Sequence, residues 1–321
     1  KSVDLLTLEI EHVNIEALKQ LKAEGLTIHP DPDALAIIQD KGLQKLFYKE
    51  KGIPSSRFQL YANTQEIFAA LADDDWSYPF VQKARKGGYD GKGVAVIKSS
   101  DELDELLEGP SLIEEAVDIK KELAVIVARN PQGQTKAFPA VEMEFNPKAN
   151  LVEQLICPAN ISDDLEEKAR ALALRVIESM DLCGILAVEL FLDQNDELWV
   201  NEVAPRPHNS GHHTIESCFT SQYEQHLRAI LDFPLGATDI KLPSVMINLL
   251  GEDGFAGPVK YEGLSESFAL GGVKVHLYGK KETKPFRKMG HVTIMAPSMK
   301  EAKAKADQVK SLLKVKSWPN P

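Results

Sequence analysis

Hydrophobic positions along this chain keep two periods. Short apolar runs bounded by turn-forming residues read as buried strands: Val94-Ala95-Val96-Ile97, Ser111-Leu112-Ile113, Ile185 to Leu192, Val245 to Leu249, Val273 to Leu277 and His291 to Met295. Other stretches repeat at helical spacing. From Asp163 to Met180, residues Leu165, Ala169, Leu172, Val176 and Met180 fall on one face, Ser162 is a cap, and acids fill the first turn. Leu35, Ile38, Leu43, Leu46 and Phe47 predict one helix over 33–52, weakened by Gly42. Ser298 and Glu301 form a capping box for a last helix, whose lysines up to Lys316 read as a solvated face. Ile53-Pro54-Ser55-Ser56 reads as a linker, and the chain becomes β-rich from about residue 241. Three regions follow, 1–52, 53–240 and 241–321, in an α/β (α+β) chain.

Two polar interruptions of this pattern carry chemistry. The run Ile185 to Leu192 holds one acid, Glu189, and an acid in a buried strand is costly unless it is paired. Asp193 to Asp196 is a turn signal, and a two-residue turn at Asn195-Asp196 would set Glu189 directly opposite Glu202. Opposed carboxylates repel, and a shared cation turns the repulsion into binding. Carboxylates that leave room for phosphate oxygens suit magnesium. The alternative is that Glu189 faces solvent on an edge strand and Glu202 merely ends the hairpin. The second interruption is Lys83 to Gly93, between two strand-like runs. Gly87, Gly88, Gly91 and Gly93 let the backbone approach a polyphosphate, and Lys83, Arg85, Lys86 and Lys92 add positive charge. Glycines alone would fit an ordinary flexible hairpin, and it is the clustered basic residues that bring a phosphate cradle into consideration.

Composition narrows the class. At 321 residues the chain buries a large core. No apolar run approaches the roughly 20 residues that span a bilayer, and no signal peptide is visible, which predicts a cytoplasmic protein without a membrane partner. Three widely spaced cysteines, Cys157, Cys183 and Cys218, read as reduced buried thiols. A net charge of −11 argues against nucleic acid as partner, so an anionic small-molecule substrate must be held by local basic clusters.

In order along the chain stand Gln39-Asp40-Lys41, Lys83-Ala84-Arg85, Gly87-Gly88-Tyr89-Asp90-Gly91, Glu114-Glu115, Lys121-Glu122-Leu123, Ala187-Val188-Glu189, Asn201 to His212, and Arg287-Lys288-Met289-Gly290-His291. Together they resemble ATP-grasp enzymes, and among those the N5-carboxyaminoimidazole ribonucleotide synthetases. The resemblance implies an ATP-grasp fold with a truncated N-terminal pre-ATP-grasp domain over 1–52. It implies an ATP-grasp domain over 53–240, with a mobile lid at 53–117 and a metal and substrate part at 118–240, and a small β-rich domain over 241–321.

The resemblance also implies roles. ATP and magnesium would be held by Lys41, Lys83, the loop Gly87-Gly88-Tyr89-Asp90-Gly91 and Gly93, the adenine hinge Glu114-Glu115-Ala116-Val117, Glu122 at the ribose, and Asn201, Glu189 and Glu202 at the metal. Bicarbonate and carboxyphosphate would meet Arg206 and His208, with Asn209, Ser210 and His212 lining the pocket. Tyr89 and Asp90 would face the aminoimidazole. The ribonucleotide phosphate would meet Arg287 with either Lys280 or Lys281, the register there being open. A homodimer is implied as well. The sequence departs from the family in three places: it starts inside the first domain, no His follows Pro139-Ala140-Val141-Glu142, and Phe286 stands where a Gly is common.

Overall fold

The computed structural model describes residues 3–73, 75–88, 93–146 and 151–318. Tyr89, Asp90 and Gly91 therefore lie outside the described residues. The largest sheet has the order Leu198–Ala204, Gly184–Asp193, Ile119–Arg129, Val141–Asn146, Leu151–Cys157, Ser244–Leu250, Lys288–Met295, Val273–Leu277, with Thr135–Ala137 paired beside Ile119–Arg129. Its pairings are antiparallel. Strand Ser244–Leu250 pairs with Leu151–Cys157, so the β-rich final region continues the sheet of the middle region.

Ile185, Leu186, Ala187 and Val188 are all buried, as expected of a strand flanked by two others and covered on both faces. Helix Asp163–Ser179 packs Leu165, Ala169, Ala173, Val176 and Ile177 on Leu123, Val125, Leu186 and Val188. Alanines at 169 and 173 let the helix approach closely, and each fully buried branched side chain contributes about 1.5–3 kcal/mol. A second, four-stranded antiparallel sheet has the order Phe58–Tyr61, Ser111–Glu115, Phe80–Ala84, Val94–Ile97, and has its own core around Phe80, Ile97 and Ile113. The last helix, Met299–Leu312, covers the strands around Ile247, Val292 and Ile294.

Three expectations are corrected. The helix predicted over 33–52 is two helices, Pro32–Ile38 and Lys41–Glu50. Asp40 makes the break: its backbone is extended, and its carboxylate accepts from the N–H groups of Gly42 and Leu43 as the cap of the second helix. The last helix ends at Leu312, and Lys314–Ser317 is a strand whose lysines pair with acids, Lys314 with Glu252 and Lys316 with Glu262. The hairpin after Gly184–Asp193 turns through three residues, Gln194 to Asp196, with Asp196 at φ 62°. Glu189 nevertheless pairs with Glu202, because Asn201 is an extra residue between the pairs Leu190–Val200 and Glu189–Glu202.

Candidate active site

The bulge at Asn201 lets two consecutive side chains, Asn201 and Glu202, both meet lysines. Lys83 reaches from the small sheet to Asn201, its Nζ donating to Oδ1 at 2.9 Å. Lys41, at the start of helix Lys41–Glu50, pairs with Glu202. Burial alone would raise the Glu202 carboxyl, but Lys41 outweighs it and holds the pKa below the ordinary value. Among the described residues no lysine lies within ion-pair distance of Glu189, whose neighbour at that range is His208 at 3.7 Å. Burial, then Glu202 and Glu122, push its carboxyl up to about 8. The two acids are 16% and 42% exposed in their side chains and line a common cleft, so Glu189 is the less screened of the two.

Lys83 also pairs with the buried Glu114 at 3.1 Å, and Lys45 approaches the same carboxylate at 3.6 Å. Ser56 joins them, accepting from Lys45 Nζ and donating to Glu114, both at 3.0 Å. Burial works against the Glu114 charge, but Lys83 and Lys45 keep its pKa low, while burial brings the Lys45 ammonium down to about 8. Glu122 faces Lys83 from strand Ile119–Arg129, with its carboxyl pushed by burial to about 7.

A cleft of about 520 Å³ lies over these acids. Lys41, Glu189, Glu202, Arg206, His208, Asn209, Ser210, Gly87 and Gly88 line it, together with Glu9 to His12 of the first region and Lys288 of the last. Arg206 pairs with Glu11 at 2.8 Å and donates to the Pro207 carbonyl at 3.1 Å. The Ser210 N–H donates to His208 Nδ1 at 3.3 Å, so that nitrogen is the acceptor and Nε2 carries the proton, 3.7 Å from Glu189. Among the described residues no three His, Cys, Asp or Glu side chains converge as a metal set. Glu189, Glu202 and the Asn201 amide still fit a magnesium ion that takes its other oxygens from phosphates, because a cation offsets both the burial and the carboxylate repulsion that raise the Glu189 pKa.

Comparison with known proteins places the chain. The ATP-grasp domain model matches residues 46–223, the ribonucleotide synthetase preATP-grasp domain model 1–39, and the phosphoribosylaminoimidazole carboxylase C-terminal domain model 244–305. N5-carboxyaminoimidazole ribonucleotide synthase of Synechococcus elongatus is 39% identical over 333 residues, which cover 100% of this chain and 81% of that protein. The chain belongs to the N5-carboxyaminoimidazole ribonucleotide synthase family of ATP-grasp ligases. The crystal structure of the Thermotoga maritima synthetase superimposes with a TM-score of 0.89 at 44% identity, over 98% of this chain and 82% of that one. The Aspergillus clavatus synthase in complex with ADP and 5-aminoimidazole ribonucleotide gives 0.87 at 32%, over 96% and 81%.

Within this synthase-family fold, His212 departs from the pocket lining expected of it, and other expected residues have partners of their own. The Glu114 side chain turns inward to two lysines, while Glu115 is exposed. Asn209 exchanges two amide hydrogen bonds with Asn248 of strand Ser244–Leu250, at 2.7 and 3.0 Å. His212 does not line the cleft but stacks between Tyr223 and His291, ring centroids 6.1 and 4.7 Å away. Burial and the neighbouring histidines bring its pKa to about 3. Lys280 donates to the Lys288 carbonyl at 2.6 Å, Lys281 is exposed, and Arg287 donates to the Glu282 carbonyl at 2.9 Å. Lys288 is the basic residue of this segment that lines the cleft.

Sequence reasoning missed Lys45, Lys288, Glu11 and Asn248. Lys45 stands four residues after Lys41, one turn along a helix, which was a usable signal. Glu11 and Asn248 carried none, since their partners are remote in sequence.

Proposed function

We propose that this chain uses ATP and bicarbonate to carboxylate 5-aminoimidazole ribonucleotide, forming N5-carboxyaminoimidazole ribonucleotide, ADP and phosphate in purine biosynthesis. The observation that carries the reading is the meeting of Lys41 and Lys83 with the Glu189–Asn201–Glu202 floor, directly beside the Arg206–His208 loop. Magnesium, bicarbonate, a homodimeric state and a cytoplasmic location belong to the same proposal. The carboxylate pair supports the first, the Arg206 loop the second, and family resemblance the last two.

Bicarbonate is a poor electrophile. Attack of its oxygen on the γ-phosphorus, with ADP leaving, gives carboxyphosphate. The amine then takes the carboxyl group, directly or as carbon dioxide, and phosphate departs with the amine proton. Phosphoryl transfer asks for positioning and charge neutralisation more than for covalent catalysis. Lys83 and Lys41 place positive charge from two different elements over the phosphates. Arg206 offers a planar fork to the bicarbonate anion, oriented by Glu11 and by the flanking prolines. His208 serves as a donor through Nε2 rather than as a base, because Nδ1 is already an acceptor. Magnesium held by Glu189 and Glu202 would neutralise phosphate charge. Arg287 with either Lys280 or Lys281 remains the proposed phosphate anchor of the ribonucleotide, joined by Lys288 of the cleft lining.

The test is ADP release with magnesium, ATP and bicarbonate, with and without 5-aminoimidazole ribonucleotide. Ribonucleotide-stimulated release that falls by roughly 10²–10³ in Arg206→Ala is the expected outcome, the scale for removing one transition-state charge donor. Release indifferent to the ribonucleotide would assign a different acceptor.

A further inference from the structure

The loop that presents His208 to the cleft is gripped from outside it. Gln222 is fully buried at the start of helix Gln222–Ile230 and does not line the cleft. Its Oε1 accepts from the His208 N–H at 2.8 Å, and its Nε2 donates to the His208 carbonyl at 2.8 Å. One side-chain amide thus answers both main-chain groups of one residue, as a neighbouring strand would. The same Nε2 donates to His212 Nδ1 at 3.0 Å. Thr214 closes the arrangement: its Oγ1 accepts from the Gln222 N–H at 2.8 Å and donates to the Gly211 carbonyl at 2.5 Å. Space is tight enough to dictate a residue. A Cβ at Gly211 would lie 2.4 Å from Gln222 Oε1 and 2.6 Å from its Cδ, so glycine is a condition of the amide's approach.

We propose that Gln222 is a positioning residue for the carboxylation, holding the His208 imidazole in register with Glu189 through the His208 main chain; this rests on the role given to His208 above. His208 is extended, at φ −126° and ψ 156°; its own side chain caps the following turn by accepting from the Ser210 N–H, and Gln222 adds the grip on its main chain. With both peptide groups gripped and Nδ1 held by Ser210, the ring has one direction left, and Nε2 lies 3.7 Å from Glu189. Release of the backbone lets the ring drift, and a misplacement of about 1 Å in a reacting group costs on the order of 10²-fold in rate.

Five single variants, Gln222→Leu, Gln222→Glu, Gln222→Ala, Gly211→Ala and His208→Ala, and the double variant of Gln222→Ala with Gly211→Ala test this. Each is assayed for ribonucleotide-dependent kcat, for the KM of ATP, and for the rise in melting temperature on adding magnesium and ADP. Gln222→Leu is expected to lower kcat about 10²-fold with KM for ATP within about twofold, the split of an interaction that acts on the chemical step. Gln222→Glu keeps the acceptor for the His208 N–H and should fall between Leu and the parent. Gly211→Ala should reproduce the loss, and should add little in a Gln222→Ala background, where the new Cβ has room. A parental kcat in Gln222→Leu, with His208→Ala strongly impaired, overturns the inference and leaves the functional reading standing. A parental kcat in His208→Ala removes the functional reading of the loop, and the inference with it. Should Gln222→Leu show no nucleotide-linked melting, Gln222→Glu and Gly211→Ala decide by the same kcat criterion.

Discussion

Glu189 and Glu202 face each other across one hairpin, yet they hold protons in opposite ways. Lys41 keeps Glu202 charged, while Glu189, buried beside Glu202 and Glu122, is pushed from an ordinary 4.5 to about 8. The linkage follows from these directions. Glu189 contributes stability fully below pH 4.5 and loses it as pH rises to about 8, with Glu122 acting likewise up to about 7. Glu202 contributes above 4.5 and loses its share as pH falls, so it plays no part in the neutral slope. His212, His213, His226 and His291, whose pKa values burial lowers to about 3–4, act in the opposite sense as pH rises through 6.5, so the Glu189 contribution shows as a difference: between pH 6 and pH 8 the metal-free parent should fare worse in melting temperature than Glu189→Gln. A cation seated on Glu189 displaces its proton, so magnesium affinity should rise with pH over the same window, by up to about tenfold per unit for one proton displaced. Melting curves with and without magnesium and ADP measure both effects. Glu189→Gln should shift the neutral slope toward rising stability with pH and abolish the magnesium response, and an unchanged slope in that variant would refute the assignment.

The elements show where sequence reasoning succeeds and why it fails. Helix Asp163–Ser179 was legible to within a residue because cap, acidic first turn and apolar face all agree. The helical break at Gln39–Asp40 was hidden because the apolar spacing runs on across it, and only the side chain of Asp40 interrupts it. That side chain does two jobs: it caps the second helix and binds Arg85 of the glycine-rich loop at 2.8 and 2.9 Å. Asp40→Ala should cost about 3–4 kcal/mol, combining a lost cap with a broken, largely buried ion pair. Asp40→Asn keeps the cap and should cost about half as much. Urea midpoints at constant slope read both; equal losses in the two variants would show that the cap is not what Asp40 supplies. The hairpin that carries Glu189 and Glu202 is instructive in another way. Glu189 opposite Glu202 was legible, but by a two-residue turn, whereas the chain reaches it through a three-residue turn and a compensating bulge at Asn201. Turn length and bulge each shift the register by one, and no local residue pattern reveals two shifts that cancel.

At the scale of the molecule, the cleft is assembled by side chains that cross between regions. Lys83 reaches Asn201 from one sheet to another, Asn209 and Asn248 join the loop to the final strands, and Arg206 meets Glu11 of the first region. Gln39 supports that last contact, its amide donating to the carbonyls of Glu11 and Val13 at 2.6 and 3.0 Å. These contacts were invisible in the sequence because partners 26 to 195 residues apart leave no periodic trace. They also rank the residues by magnitude. Arg206 and Glu11 are each 29% exposed, and a pair so open to water is worth roughly 1 kcal/mol, about fivefold in rate or affinity. Glu11→Gln should therefore lower kcat/KM for 5-aminoimidazole ribonucleotide by about fivefold, against roughly 10²-fold or more for Arg206→Ala, because it loosens the guanidinium without removing it. KM for ATP should stay unchanged, since Lys41 and Lys83 make no contact with Glu11 among the hydrogen bonds and ion pairs described. Steady-state kinetics in each substrate separate these outcomes. A Glu11→Gln loss as large as that of Arg206→Ala would mean that Glu11 itself touches the reacting groups; no loss would mean that the prolines beside Arg206 orient it unaided.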